Sequence, residues 1–253
     1  MAGTSRGAAL VTGAGRRIGR ALALEAAACG YDVAVHGRAP SDDADAVVAE
    51  IRATGRRAAA FCADLADAAA LPALVAEAGA ALGPLALLVN SASLFEDDRL
   101  DTLTPASFDA HAAVNLRAPV LLIQAFAAAL PPGREGLVVN IIDQRVWKPT
   151  PQFFSYGLAK AGLWDATRMA AQALAPRIRV NAIGPGPVLP SVHQRPGEFE
   201  AEARGVPLGR PVDPAEIAAA LRYLVDARSV TGQMIAVDGG QHLGWKTPDI
   251  VAP

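Results

Sequence analysis

Residues 8–29 read AALVTGAGRRIGRALALEAAAC. An apolar run at 8–12 gives way to Gly13, Gly15 and Gly19, and then to an Ala- and Leu-rich stretch ending near Cys29. The first piece has the length and character of a strand buried on both faces. The last has a helical composition. Glycines between a strand and a helix let the backbone turn sharply. They also let a phosphate approach the helix N-terminus, where unpaired N–H groups and the positive dipole end lie. Thr12–Gly19 therefore predicts a phosphate-binding turn, with Gly13, Arg16, Arg17, Ile18 and Gly19 as its candidate contacts.

The same alternation runs to the end of the chain. Strands are expected at 31–36, 57–62, 85–90, 136–142, 178–183 and 233–237. Helices are expected at 42–54, 68–82, 105–130 (with a bend near Pro119), 154–175 and 213–227. No repeat and no linker divides residues 1–253, so one α/β domain is expected. Alternating strands and helices imply right-handed crossovers and a Rossmann-like, doubly wound parallel sheet of about seven strands. A Pro- and Gly-rich connection at 184–211 is long enough to be a substrate loop. A tail at 241–253 carries Trp245 and suits either a neighbouring subunit or its own domain.

Composition narrows the function. The chain has 253 residues, 52% hydrophobic and 19% charged, with a net charge of −2. That balance describes a globular protein with no electrostatic footprint for nucleic acid or an acidic membrane. No signal peptide and no uninterrupted membrane span is read, which points to the cytoplasm. Cys29 and Cys62 lie in apolar stretches and read as buried thiols in a reducing compartment. No His, Cys and carboxylate set has metal-ligand spacing.

The end of the second strand distinguishes two cofactors. An acid there would hold the ribose 2′-OH of NAD, whereas an Arg favours a 2′-phosphate. The residues are Val35-His36-Gly37-Arg38, with no acid. Arg38, helped by Arg16 and by His36 or Ser41, is the candidate clamp, so NADPH/NADP+ is expected over NAD. Asp64-Leu65, after the third strand, would meet the adenine, or Asp64 would cap the next helix.

The catalytic candidates lie within DQRVWKPTPQFFSYGLAK, residues 143–160. Tyr156 and Lys160, four apart on a helix, share one face. A phenol beside an ammonium is expected to titrate lower than usual and to donate a proton.

Taken together, these residues resemble the short-chain dehydrogenase/reductase family over nearly the full chain. The TGxxxxxG turn, Asp64-Leu65, Asn90-Ser91-Ala92, Asn115 and Tyr156-xxx-Lys160 occur in order, followed by Pro185-Gly186 and Asp238-Gly239-Gly240. The resemblance implies that Tyr156 is the general acid. Lys160 would lower its pKa and hold the nicotinamide ribose, and Asn115 would support a proton-relaying water. It also places Asn90, Ser91, Ala92, Pro185, Gly186 and Val188 along the cofactor.

Three departures resemble one branch, the pteridine reductases, which reduce pterins and folates with NADPH. Arg17 replaces a glycine, Ser93 and Phe95 follow Asn90-Ser91-Ala92, and Asp143 stands where a serine is usual. The resemblance makes Arg17, Ser93, Phe95, Asp143 and Tyr156 the substrate contacts. Phe95 would stack a flat ring, and Asp143 would work with Tyr156 in proton delivery. Plain loop packing for Phe95 and a turn or cap for Asp143 are the structural alternatives. An anionic Asp143 would raise the Tyr156 pKa and couple the two titrations. The implied activity is NADPH-dependent reduction of a pterin-like heterocycle. A carbonyl or 3-oxoacyl reductase of the same superfamily, or a non-catalytic NADPH-binding protein, stands as the alternative. The family implies a homotetramer or homodimer.

Overall fold

The computed structural model describes residues 5–191 and 193–245. Seven strands form one sheet: β1 (Ala8–Val11), β2 (Asp32–Gly37), β3 (Ala58–Cys62), β4 (Leu85–Asn90), β5 (Gly136–Ile141), β6 (Ile178–Pro185) and β7 (Met234–Val237). Their spatial order is β3-β2-β1-β4-β5-β6-β7, and every pair is parallel. Val11 is paired with Val35 of β2 on one side and Val89 of β4 on the other. The winding direction therefore reverses beside β1, and ligands of such sheets bind at the strand carboxyl ends at this point.

Helices cover both faces. α1 (Arg17–Ala28), α2 (Asp42–Ala53) and α8 (Pro214–Asp226) bury Leu22, Ile51 and Leu221 on one side. α3 (Ala70–Leu82), α5 (Ala118–Ala129) and α6 (Phe154–Leu174) lie on the other, over Leu71, Leu122 and Phe126. β1, β4 and β5 are buried along their whole length, which explains why they read as continuous apolar runs.

Three expectations need correction. The long helix at 105–130 is broken earlier than Pro119. α4 (Pro105–Ala112) passes through a π turn, Ala113–Arg117, into α5. The extra residue in that turn re-aims the side chains, and Asn115 is fully buried there. Residues 105–129 have the length and mean apolarity of a membrane span, but Arg117 and Pro119 interrupt them, as the sequence reading held, and their buried face packs on α3 and α6. The 184–211 connection holds a helix, α7 (Glu198–Gly205). Finally, Cys29 is buried but Cys62 is exposed at the end of β3. Most of the tail, 246–253, lies outside the described residues.

Candidate active site

The glycine turn is held by close packing. Gly13 has φ 64°, and a Cβ there would lie 2.8 Å from Ala92 Cα. A Cβ on Gly19 would lie 2.0 Å from the Gly13 carbonyl oxygen. Thr12 Oγ1 accepts from the N–H groups of Ser91 (3.0 Å) and Ala92 (3.1 Å), tying the ends of β1 and β4 together. No side chain caps α1, whereas Ser41, Thr104 and Asp213 cap α2, α4 and α8. The turn thus presents an open helix N-terminus, a fit for a pyrophosphate.

Arg38 is 85% exposed at the end of β2 and 3.6 Å from Asp64 Oδ2. Asp64 does not cap the next helix, whose N-cap is Ala69 without a side-chain bond; its Oδ1 accepts from Ala66 N–H in the turn after β3. Ser41 spends its hydroxyl on capping α2. Arg16 is exposed beside the turn.

Several expected cofactor contacts have their side chains committed elsewhere. His36 is buried: Nδ1 accepts from Gly13 N–H at 3.3 Å, and Nε2 lies 3.1 Å from the Ala63 carbonyl. Neutral imidazole protonated at Nε2 satisfies both bonds, and burial lowers its pKa. His36 therefore braces the turn and is not available as a phosphate clamp. The buried side chains of Leu65 and Val188 belong to the core, and Ile18 packs against it. Asn90 is buried and donates through Nδ2 to Asn140 Oδ1 at 2.8 Å. Gly186 fits tightly, since a Cβ would lie 2.6 Å from Asp238 Cα. It follows Pro185, the last residue of β6. Arg17, with φ 54°, donates to the carbonyls of Pro190 (2.9 Å) and Leu189 (3.0 Å). It grips the 184–211 connection and does not reach toward phosphates in this arrangement.

At the carboxyl end of β5, Tyr156, Lys160 and Asp143 meet. Tyr156 O–H donates to Asp143 Oδ2 at 2.8 Å, and Arg145 N–H donates to Asp143 Oδ1 at 2.8 Å. Asp143 is thus both the cap of a 3₁₀ turn, Gln144–Val146, and the partner of the phenol. Lys160 Nζ donates to the Ile141 carbonyl at 2.9 Å and lies 5.6 Å from the Tyr156 ring centroid. Burial lowers its pKa to about 8, while Asp143 holds it up.

The Tyr156 pKa moves opposite to the expectation from Lys160 alone. Burial and then Asp143 raise it well above the usual phenol value, and Arg145 is the cation that opposes them. Burial also raises the Asp143 pKa, against Arg145, the two hydrogen bonds and Lys160. The phenol is consequently protonated throughout the neutral range.

Loop residues frame this group. Asn115 Oδ1 accepts from Leu94 N–H (2.8 Å) and the Ser93 hydroxyl (3.1 Å), and its Nδ2 donates to the Leu94 carbonyl (2.8 Å). Its side chain therefore fixes the Ser93–Phe95 loop. Phe95 stacks on Phe153 at 4.1 Å and 10°, and meets Tyr156 edge-on at 4.8 Å. His193 Nε2 reaches the Phe95 carbonyl at 2.9 Å. Asp98, buried, accepts from Ser155 N–H (2.9 Å) and the Ser107 hydroxyl (2.9 Å), joining this loop to the starts of α6 and α4.

Sequence reasoning missed Phe153, Arg145 and Asp98. Phe153 holds φ 53°, which no sequence signal marks for a phenylalanine. An Arg two residues past Asp143 was legible as a nearby charge, but not its contact with the two rings.

An open-ended glycine turn, a parallel sheet and a buried Tyr–Lys pair at its carboxyl edge define a dinucleotide-dependent oxidoreductase. The chain belongs to the short-chain dehydrogenase/reductase family. A family model described as enoyl-(acyl carrier protein) reductase matches residues 13–242. An uncharacterised oxidoreductase of Mycobacterium tuberculosis is 39% identical, over 96% of this chain and 95% of that one. The 3-oxoacyl-[acyl-carrier-protein] reductase FabG of Staphylococcus aureus is 34% identical, over 93% and 98%. The structure of FolM alternative dihydrofolate reductase 1 from Brucella suis, in complex with NADP, is 50% identical with a TM-score of 0.93, over 97% and 99%. Its Brucella canis counterpart, also with NADP, is 50% identical with a TM-score of 0.94, over 98% of each chain.

Proposed function

We propose that this protein is an NADPH-dependent reductase of a pterin-like, dihydropteridine or folate-type heterocycle. The observation that carries the reading is the 2.8 Å bond between the Tyr156 phenol and Asp143, beside the Phe95 ring. The 50% identity to the Brucella proteins, against 34% to FabG, supports the same branch.

The uncapped start of α1 would hold the cofactor's pyrophosphate, with exposed Arg16 and Arg38 flanking its 2′-phosphate. Ser91, Ala92, Pro185 and Gly186 would contact it through the backbone at the strand ends. The bound dinucleotide supplies a hydride. Lys160 would hold the cofactor ribose, and its buried amine lies 5.6 Å from the centre of the phenol ring. Phe95 orients the flat substrate, and Ser93 and Asn115 hold the Phe95 loop. Hydride at a ring carbon leaves the adjacent nitrogen needing a proton. Tyr156 donates that proton, and the Asp143 carboxylate relays one back to Tyr156 from solvent. A ketone reductase has no such need for a carboxylate, since a neutral hydroxyl serves its oxygen.

The enzyme is taken to be one reductase domain in a cytoplasmic homotetramer. The exposed Phe108, Val120, Leu158 and Met169 on α4, α5 and α6 support contact between copies. Absorbance of NADPH tests the function. Wild-type protein consumes NADPH with a dihydropterin, and Tyr156→Phe loses this turnover while retaining NADPH binding. Turnover of a 3-oxoacyl thioester but of no dihydropterin would move the protein to the carbonyl-reductase branch.

A further inference from the structure

Arg145 has no part in the steps above except its backbone N–H. Its guanidinium carbon lies 5.1 Å from the Phe153 ring centroid and 5.7 Å from that of Phe95. Among the described residues this guanidinium makes no hydrogen bond and no ion pair, and its Nη1 is buried without a partner. Arg145 as a whole is half-buried, but a buried N–H with no acceptor is costly, and an open donor of this kind marks a place where a ligand can supply the acceptor. The neighbouring carboxylate does not supply an acceptor: Asp143 Oδ1 and Oδ2 are taken by Arg145 N–H and Tyr156 O–H. Nor does His193, whose Nε2 is engaged by the Phe95 carbonyl and Glu96. Two aromatic rings hold the planar cation in place without using its N–H groups.

We infer that Arg145 contacts the substrate, donating to an acceptor oxygen conjugated to the heterocyclic ring. This rests on the heterocycle reading above. Asp143 and Tyr156 handle one polar atom of the ring. A fixed donor two residues further along reads a second, so the ring enters in one orientation. The buried position of Nη1 favours a ring oxygen over a carboxylate on a substrate tail, which would remain near solvent.

Arg145→Met keeps the length and the aromatic packing but removes every N–H. Its steady-state constants are compared with wild type on two acceptors, a dihydropterin without a carboxylate and dihydrofolate, which carries carboxylates. Loss of a charged donor raises KM for both by roughly 10- to 100-fold, with kcat changed far less. NADPH affinity and melting temperature stay as in wild type. If Arg145→Met melts early, Arg145→Lys, which keeps the charge without the fork, shows the same KM-selective loss at smaller size. Unchanged KM on both acceptors overturns the inference. A rise for dihydrofolate alone overturns the ring-oxygen assignment in favour of the tail. The heterocycle reading fails separately, if the wild-type protein reduces neither acceptor.

Discussion

Replacing Asp143 by Asn is the most informative single change. Asp143 accepts two hydrogen bonds, from Arg145 N–H and Tyr156 O–H, each 2.8 Å long. An amide offers one oxygen. If that oxygen keeps the Arg145 N–H, an NH₂ faces the phenol and the phenol loses its acceptor. If the amide flips, the NH₂ faces the Arg145 N–H. Either arrangement costs about 1–3 kcal/mol, the usual penalty for a buried group left unpaired. Loss of an acid–base partner lowers kcat by on the order of 10²- to 10⁴-fold.

Lys160 provides a second, signed readout. Its folded pKa is about 8, below the free value of 10.5, because its ammonium is buried, and Asp143 is the group holding it up. The folded state therefore carries the penalty of a buried ammonium below about pH 8. That penalty is relieved as pH rises through 8 toward 10.5, where the unfolded chain also loses the proton. kcat/KM for NADPH reports free-enzyme ionisations, so its alkaline limb in wild type lies near pH 8. Neutralising residue 143 moves that limb to lower pH. The assay is NADPH oxidation across a pH series at saturating acceptor. A limb that stays in place, with kcat within about three-fold of wild type, refutes the reasoning.

Gly19→Ala forces a Cβ to within 2.0 Å of the Gly13 carbonyl oxygen, so the turn must open. Overpacking of this kind costs about 1–3 kcal/mol, or about 2–4 °C of melting temperature per kcal/mol, and thermal melting with and without NADPH reads both the loss and weakened cofactor binding. An unaltered melting curve would show that the turn has slack. Asp98→Ala removes the acceptor for Ser155 N–H at the start of α6, costing about 0.5–2 kcal/mol. Turnover should fall further than NADPH binding, because Tyr156 sits in the first turn of that helix. Equal losses in both would make Asp98 merely structural.

What the sequence carried and what it withheld follow from distance along the chain. Gly13, Gly19, Tyr156 and Lys160 act through spacings within one turn or one helix, so their arrangement is legible from local pattern. Buried β4 and β5 are equally plain, as apolar runs between breakers. His36 and Asn90 are not, because their partners lie far along the chain, Gly13 and Ala63 for His36 and Asn140 for Asn90, and a polar residue at a strand end looks the same whether it faces ligand or core. The π turn at Ala113–Arg117 changes the direction of Asn115 without changing any residue type. α7 was hidden by the glycines and prolines around it, although Glu200 and Arg204 are four apart, a helix-type pair. The sign of the Tyr156 shift depended on burial and on where Lys160 points, toward Ile141, and neither is written in a YxxxK spacing.

On this reading the carboxylate at residue 143 selects a protonatable ring over a ketone. The most direct test is the ratio of kcat/KM for a dihydropterin to that for a 3-oxoacyl thioester, measured side by side on wild type and Asp143→Ser. The ratio should fall by on the order of 10² or more in the variant, since a site built around one polar partner rejects the other. A ratio that is the same in both proteins would contradict the account.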